Sequence, residues 1–269
     1  MEKKFVKKID NLGIALDLKR RIVGVNFLFI KKEFDDCKAE RMKGHAPYCR
    51  MTAKAMNGEH FKVDIENFTC SGGVEMLGLR PSHGYEKSGK QFDIFCLYED
   101  LAVARKVHNN LLPIPHKIYG AEIGPLSELE KADSVLLLCN GWQAMRIVQG
   151  YTYHYGTATN IGMVGNQGIC SDLTSRPYMT NDINVSMLCL GARLSTNADD
   201  GELGIGMPFN VFRMTMDGVL NTINAATEGR RKKELIERID SAGCDFGQEV
   251  EFGSNYVSYK GKFPLEDYE

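Results

Sequence analysis

The sequence predicts an α+β fold, with α/β as the second option: a mixed sheet with flanking helices. Three observations lead there. Apolar residues alternate along the chain between helical spacing and short β-branched or aromatic runs. The second half loosely repeats the order of the first: strand, helix, glycine, strand, cysteine loop. At 269 residues, 43% of them hydrophobic and 25% charged, the chain can bury one large core.

Phe5, Ile9, Leu12 and Leu16 recur at helical spacing, and "RIVGVNFLFI" after them reads as a strand. "YCRMTAKAMNG" is a short helix closed by Gly58, and "HFKVDI" is a strand leading into a loop at Cys70. Leu101, Ala104, Val107 and Leu111 mark another helix, stopped by Pro113 and Pro115, and the strand "HKIYGAEI" follows. In the second half "DSVLLLC" is a buried strand, "WQAMRIVQG" a short helix closed by Gly150, "YTYHYG" an aromatic strand, and a longer loop arrives at Cys170. Phe209, Phe212, Met216, Val219, Leu220 and Ile223 form an apolar helical stripe that begins at Pro208. "GRRKKELIERIDSAG" is a more solvated last helix, followed by a polar, aromatic tail suited to wrapping the body or a partner subunit.

A single domain over 1–269 is expected, with pseudo-halves at 18–125 and 130–228 and a C-terminal helix and tail at 229–269. A second echo supports halves but aligns different cysteines. Cys49 and Cys70 have 20 residues between them, and Cys170 and Cys189 have 18.

Composition removes several partners. The 33 basic and 35 acidic residues leave a formal charge of −2, which advertises neither a nucleic-acid nor a phospholipid surface. The charged start "MEKKFVKKID" and the shortness of the apolar run "SVLLLC" point to a cytoplasmic protein without membrane spans. Homo-oligomerisation is compatible with the sequence but not required by it.

Eight cysteines are too few for a disulfide scaffold, and none forms a CxxC pair, so the local signature of a zinc ribbon is missing. Their settings differ. Cys70 precedes Ser71, Gly72 and Gly73; Cys189 is followed two residues on by Gly191; Cys170 follows Gly165 and Gly168. Glycines let the backbone close around sulfur and aim N–H groups at it. Cys49 starts a helix, where the macrodipole favours thiolate. Cys96 and Cys139 lie in or beside apolar runs and read as buried structural thiols, whereas Cys37 and Cys244 read as surface thiols.

"YCRMTAKAMNGEHF", "FTCSGGVEMLGL", "WQAMRIVQG", "GNQGICSDL" and "NVSMLCLGAR" resemble, in order and spacing, the domain-of-unknown-function family 169 of archaea and anaerobic bacteria. The resemblance covers roughly positions 10 to 225, and its four cysteine motifs map onto Cys49, Cys70, Cys170 and Cys189. "CNGWQAM" departs from the family pattern, in which a proline stands close to the Gln-Ala-Met. Membership implies no established reaction.

The chemistry therefore comes from the residues. Four thiols from distant parts of the chain match the ligand count of a [4Fe–4S] cluster, with Gly72, Gly73 and Gly191 supplying backbone donors and Arg193 a guanidinium for a carboxylate or phosphate. Three ligands without Cys49 would leave one iron open to a substrate. The expected role is redox or substrate-activating in anaerobic metabolism, with a small-molecule substrate or a redox protein as partner. Two alternatives stay open: a metal-free small-molecule-binding module with a glycine-turn pocket, and a zinc site. His154, between Tyr153 and Tyr155, reads as a structural histidine.

Overall fold

A computed structural model describes residues 2–94, 96–247 and 250. The first half runs α1 (Lys3–Leu16), β1 (Val23–Leu28), α2 (Lys31–Asp36), α3 (Tyr48–Met56), β2 (Phe61–Asp64), α4 (Ser71–Met76), α5 (Gly84–Lys87), α6 (Lys90–Asp93), α7 (Leu101–Asn109) and β3 (Gly120–Pro125). The second runs β4 (Ser134–Asn140), α8 (Gly141–Tyr155), a π-helical segment (Gly168–Ser175), α9 (Arg176–Thr180), β5 (Asn184–Ser186), α10 (Leu190–Thr196), β6 (Glu202–Pro208), α11 (Phe209–Asn221) and α12 (Gly229–Ala242).

The strands make one six-stranded sheet in the order β2-β3-β1-β4-β6-β5, and every ladder pair is antiparallel. Two isolated parallel bridges, Arg41 to Lys62 and Ala46 to Phe68, flank β2. The fold is thus α+β rather than α/β. Strand order and register repeat about the β1–β4 junction: Val23 pairs with Pro125 and Ser134 with Pro208, while Phe61 pairs with Ile123 and Asn184 with Gly206, each two residues before that proline. In this arrangement Cys49 and Cys170 precede the two edge strands, and Cys70 and Cys189 follow them.

Alternation along the central strands builds two cores. Val23, Val25 and Phe27 of β1 and Leu136 and Leu138 of β4 face α3, α4 and the π segment. Val135, Leu137 and Cys139 of β4 face α1, α8 and α11. A sheet buried on both sides needs helices on both, which is why β4 reads as a continuous apolar run.

Several expectations are corrected. Gly150 does not end a helix, and "YTYHYG" is not a strand: α8 continues to Tyr155, with Tyr151 and Tyr155 stacked one turn apart at 4.9 Å. Gly150 is instead a crossing point. A Cβ there would lie 2.4 Å from Val219 Cγ2 and 2.5 Å from the Thr215 carbonyl oxygen of α11, and one on Gly218 would lie 2.1 Å from the Gly150 oxygen. Cys96 is exposed at a positive φ of 52°, flanked by exposed Ile94 and Leu97, and is not a buried structural thiol. Cys139, at 1% exposure, is. Strand β3 starts only at Gly120; before it, the His116 ring and the Ile118 N–H both meet the Gly78 carbonyl oxygen outside the sheet. Pro208 precedes α11 as its cap rather than entering the first turn. The last helix ends at Gly243, and most of the aromatic tail lies outside the described residues. No described helix is long and apolar enough to cross a membrane.

Candidate functional site: four cysteines at helix starts

Cys49, Cys70, Cys170 and Cys189 all pack, half-buried, against the core on one face of the sheet. None lies in a plain turn. Cys70 is the cap residue of α4, Cys189 the cap residue of α10, Cys49 the second residue of α3, and Cys170 the third of the π segment. The glycines after Cys70 and Cys189 belong to first helical turns, where free backbone N–H groups and the positive dipole end gather.

Local contacts tie the segments that carry them together. The Tyr48 backbone N–H donates to Cys70 Sγ at 3.5 Å. A Cβ on Gly73 would lie 2.9 Å from Tyr48 Cβ and 3.0 Å from Cys70 Sγ, so only glycine lets α3 and α4 meet at the sulfur. Gly72 faces the Gln167 side chain, 3.1 Å from its would-be Cβ. Gly168 does the same on the other side: its Cβ would stand 2.7 Å from the Cys189 nitrogen, so the π segment presses on the chain entering α10. Leu188, at a φ of +67°, turns that chain, and its N–H donates to Ser186 Oγ. Cys49 Sγ lies 3.1 Å from Ser195 Oγ, which ties α3 to α10.

The other predicted residues divide. Arg193 donates to the carbonyl oxygens of Met187, Asp199 and Glu202, bracing the loops around Cys189. Gly191 has nothing within 4 Å of a would-be Cβ. Ser195, Tyr48 and Asp172 went unrecognised in the sequence: Tyr48 and Asp172 stand inside the quoted family stretches, but nothing local marks their contacts. Asp172 is fully buried in the π segment; it accepts from Ser186 Oγ and the Val164 N–H, and burial raises its pKa to about 6.

Two of the thiols are shifted by their surroundings. Burial pushes the Cys170 thiol well above its ordinary value, and the neighbouring Cys70, Cys189 and Cys49 push it further. Burial also raises Cys49, opposed by its Ser195 bond and reinforced by Cys70 and Cys189. The expectation that the dipole makes Cys49 a ready thiolate is therefore corrected: burial and like-charged neighbours outweigh it. Among the described residues no three His, Cys, Asp or Glu side chains are grouped to hold a metal ion. A single ion with metal–sulfur bonds of about 2.3 Å would need its thiolates within about 4 Å of one another.

On the opposite sheet face a cleft of about 800 Å³ is lined by Asn26, Cys37, His60 and Glu122. Asn26 Nδ2 and the His60 ring each meet a different Glu122 oxygen at 2.9 Å.

Fold and site together define an α+β protein in which two similarly built halves bring four cysteines to one face of an antiparallel sheet. The chain belongs to the DUF169 family, described as uncharacterised ArCR, whose model matches residues 11–218. It is also similar to an uncharacterized protein of Methanocaldococcus jannaschii, 23% identical over 164 residues that span 60% of this chain and 70% of the relative. No solved structure matches.

Proposed function

We propose that this protein binds an iron–sulfur cluster through Cys49, Cys70, Cys170 and Cys189 and serves a redox or substrate-activating role in anaerobic metabolism. One observation carries the reading: four thiols, from segments up to 140 positions apart, pack against one core face, with Cys49, Cys70 and Cys189 all near enough to Cys170 to act on its thiol. Thiolates placed side by side in a poorly solvated site are costly unless cations offset their charge, and iron does this directly.

Such a cluster supplies one-electron transfer, or with three ligands an open iron that polarises a substrate. The chain's own residues would tune it. The Tyr48 N–H donates to Cys70 Sγ, Ser195 holds Cys49, and the helix starts set donors around negative sulfur. The partner is a small-molecule substrate or a redox protein.

Anaerobic purification with iron and sulfide analysis and an absorption spectrum tests the reading. Broad sulfur-to-iron absorbance is expected near about 400 nm, lost with Cys70→Ser and kept with Cys96→Ser. Protein that stays colourless after anaerobic reconstitution overturns the proposal and favours metal-free binding of a small molecule.

A further inference from the structure

The sheet repeats its register in both halves, but one matching patch on the face away from the cysteines differs in chemistry. Glu122 of β3 stands three residues before Pro125, with Asn26 of β1 and Lys62 of β2 opposite it. Ile205 of β6 stands three residues before Pro208, with Leu137 of β4 and Val185 of β5 opposite it. The apolar trio packs into the core under α8 and α11. Over the polar trio there is instead the cleft of about 800 Å³, which Asn26 and Glu122 line.

The polar groups of this patch do not fully satisfy one another, and a buried polar atom without a partner is costly. Asn26 is 3% exposed; its Nδ2 donates to Glu122, and its Oδ1 has no partner among the described residues. Glu122 meets Asn26, the His60 ring and the Cys37 thiol, whereas an ionised carboxylate has about four acceptor sites. A Cβ on Gly124 would lie 2.8 Å from His60 Cδ2, so glycine makes the room in which that ring reaches Glu122. Lys62 does not pair with Glu122: its Nζ donates to the Phe34 and Cys37 carbonyl oxygens at 2.7 and 2.8 Å.

Further out, the lining carries more carboxylates than its cations hold. Asp36, Glu128 and Glu130 are bound by Lys32, Arg21 and Lys38. Glu33, Glu40 and Glu122 form no ion pair with a lysine or arginine among the described residues, and Lys131 is the lining cation left to face them. No three acidic, histidine or cysteine side chains are grouped there to hold a metal ion. A ligand that brings separate charges to separate carboxylates therefore fits better than one compact ion. An ammonium group has three donors and no acceptor, which suits a carboxylate beside an unpartnered amide oxygen.

We propose that this cleft binds a short aliphatic polyamine, with one ammonium group between Glu122 and Asn26 Oδ1 and another towards Glu40. The site lies across the sheet from the four cysteines, and the proposal is independent of iron.

Titration calorimetry with spermidine at about 150 mM salt tests this. Saturable one-to-one binding is expected, with none of tetramethylammonium, which has the charge without N–H donors. Glu122→Gln should weaken spermidine binding by about tenfold or more, the scale of one lost bond to a charged group. Glu40→Gln, at the exposed rim, should weaken it by about threefold. Glu66→Gln, an exposed carboxylate outside the cleft, should leave it unchanged. Spermidine should also slow alkylation of Cys37 but not of Cys96, a readout that requires no variant to fold. Absence of saturable binding, equal binding of tetramethylammonium, or binding that leaves Cys37 alkylation unchanged overturns the proposal. So does an affinity that survives both Glu122→Gln and Glu40→Gln.

Discussion

Replacing Gly150 by alanine sets two opposed effects against each other. Alanine in a helix interior gains about 1 kcal/mol over glycine. The added Cβ, however, would lie 2.4 Å from Val219 Cγ2, 2.5 Å from the Thr215 oxygen and 2.7 Å from the Val219 nitrogen. Two of these atoms are α11 backbone, which no rotamer change can move. Restoring ordinary contact means separating α8 from α11 by about 1 Å, and such a gap forfeits up to about half the dispersion well of the contacts along it. Those contacts include Ile147, Tyr151, Phe212, Met216 and Val219. Overpacking of this kind costs about 1–3 kcal/mol, and backbone atoms put this site at the upper end, so a net loss of about 2 kcal/mol is expected. For a chain of this size that is a drop of about 4–8 °C in Tm. Thermal and urea melts of Gly150→Ala should show it, with Gly141→Ala, which meets nothing within 4 Å, as the control that changes stability by less than about 0.5 kcal/mol. A Gly150→Ala protein at least as stable as the wild type would refute the close crossing and return Gly150 to the role of a helix stop.

Further expectations follow from the same physical terms. Gly168→Ala should lower iron retention and stability together, because its Cβ would push the Cys189 nitrogen from 2.7 Å; iron content per chain and melting temperature measure both. Cys139→Ser should cost about 1–3 kcal/mol by burying an unpartnered hydroxyl while leaving iron content unchanged, since Cys139 is 1% exposed on the face away from the four cysteines. Asp172 has a folded pKa of about 6 against an ordinary 3.8, raised by burial, so its contribution is fully present below about pH 4 and is lost as pH rises through 6. The loss is about 3 kcal/mol, and urea melts of Asp172→Asn should lack that part of the pH dependence. In the metal-free protein, alkylation at neutral pH followed by peptide mapping should label exposed Cys96 well before Cys170, whose thiol burial pushes up.

Periodicity made most helices and the long strands legible. What escaped it has identifiable causes. Tyr151, Tyr153 and Tyr155 alternate as a strand would, but the helix that carries them is held by the Gly150–Gly218 contact, a pairing between residues 68 positions apart that no local pattern encodes. Helices α4 and α10 have six and seven residues, too short for a 3.6-residue period to show, so their glycines read as turns. "FDIFCLY" is apolar, yet Ile94, Cys96 and Leu97 are exposed, a surface placement that composition does not reveal. The cysteine set itself was legible through its glycines and its family resemblance. Its supports, Ser195 on Cys49 and Tyr48 on Cys70, reach the site only through tertiary packing. The thiol pKa direction at Cys49 was misjudged for a related reason: a dipole can be read from sequence, whereas burial and neighbouring sulfurs cannot.

The central claim is that four cysteines hold iron as a multinuclear sulfur-bound cluster, and X-ray absorption at the iron edge of anaerobically reconstituted protein tests it most directly. The account predicts a first shell of sulfur only together with iron–iron scattering, both lost when Cys70 or Cys189 becomes serine and kept when Cys96 does. Iron held by nitrogen or oxygen ligands, or iron without an iron neighbour, would contradict it.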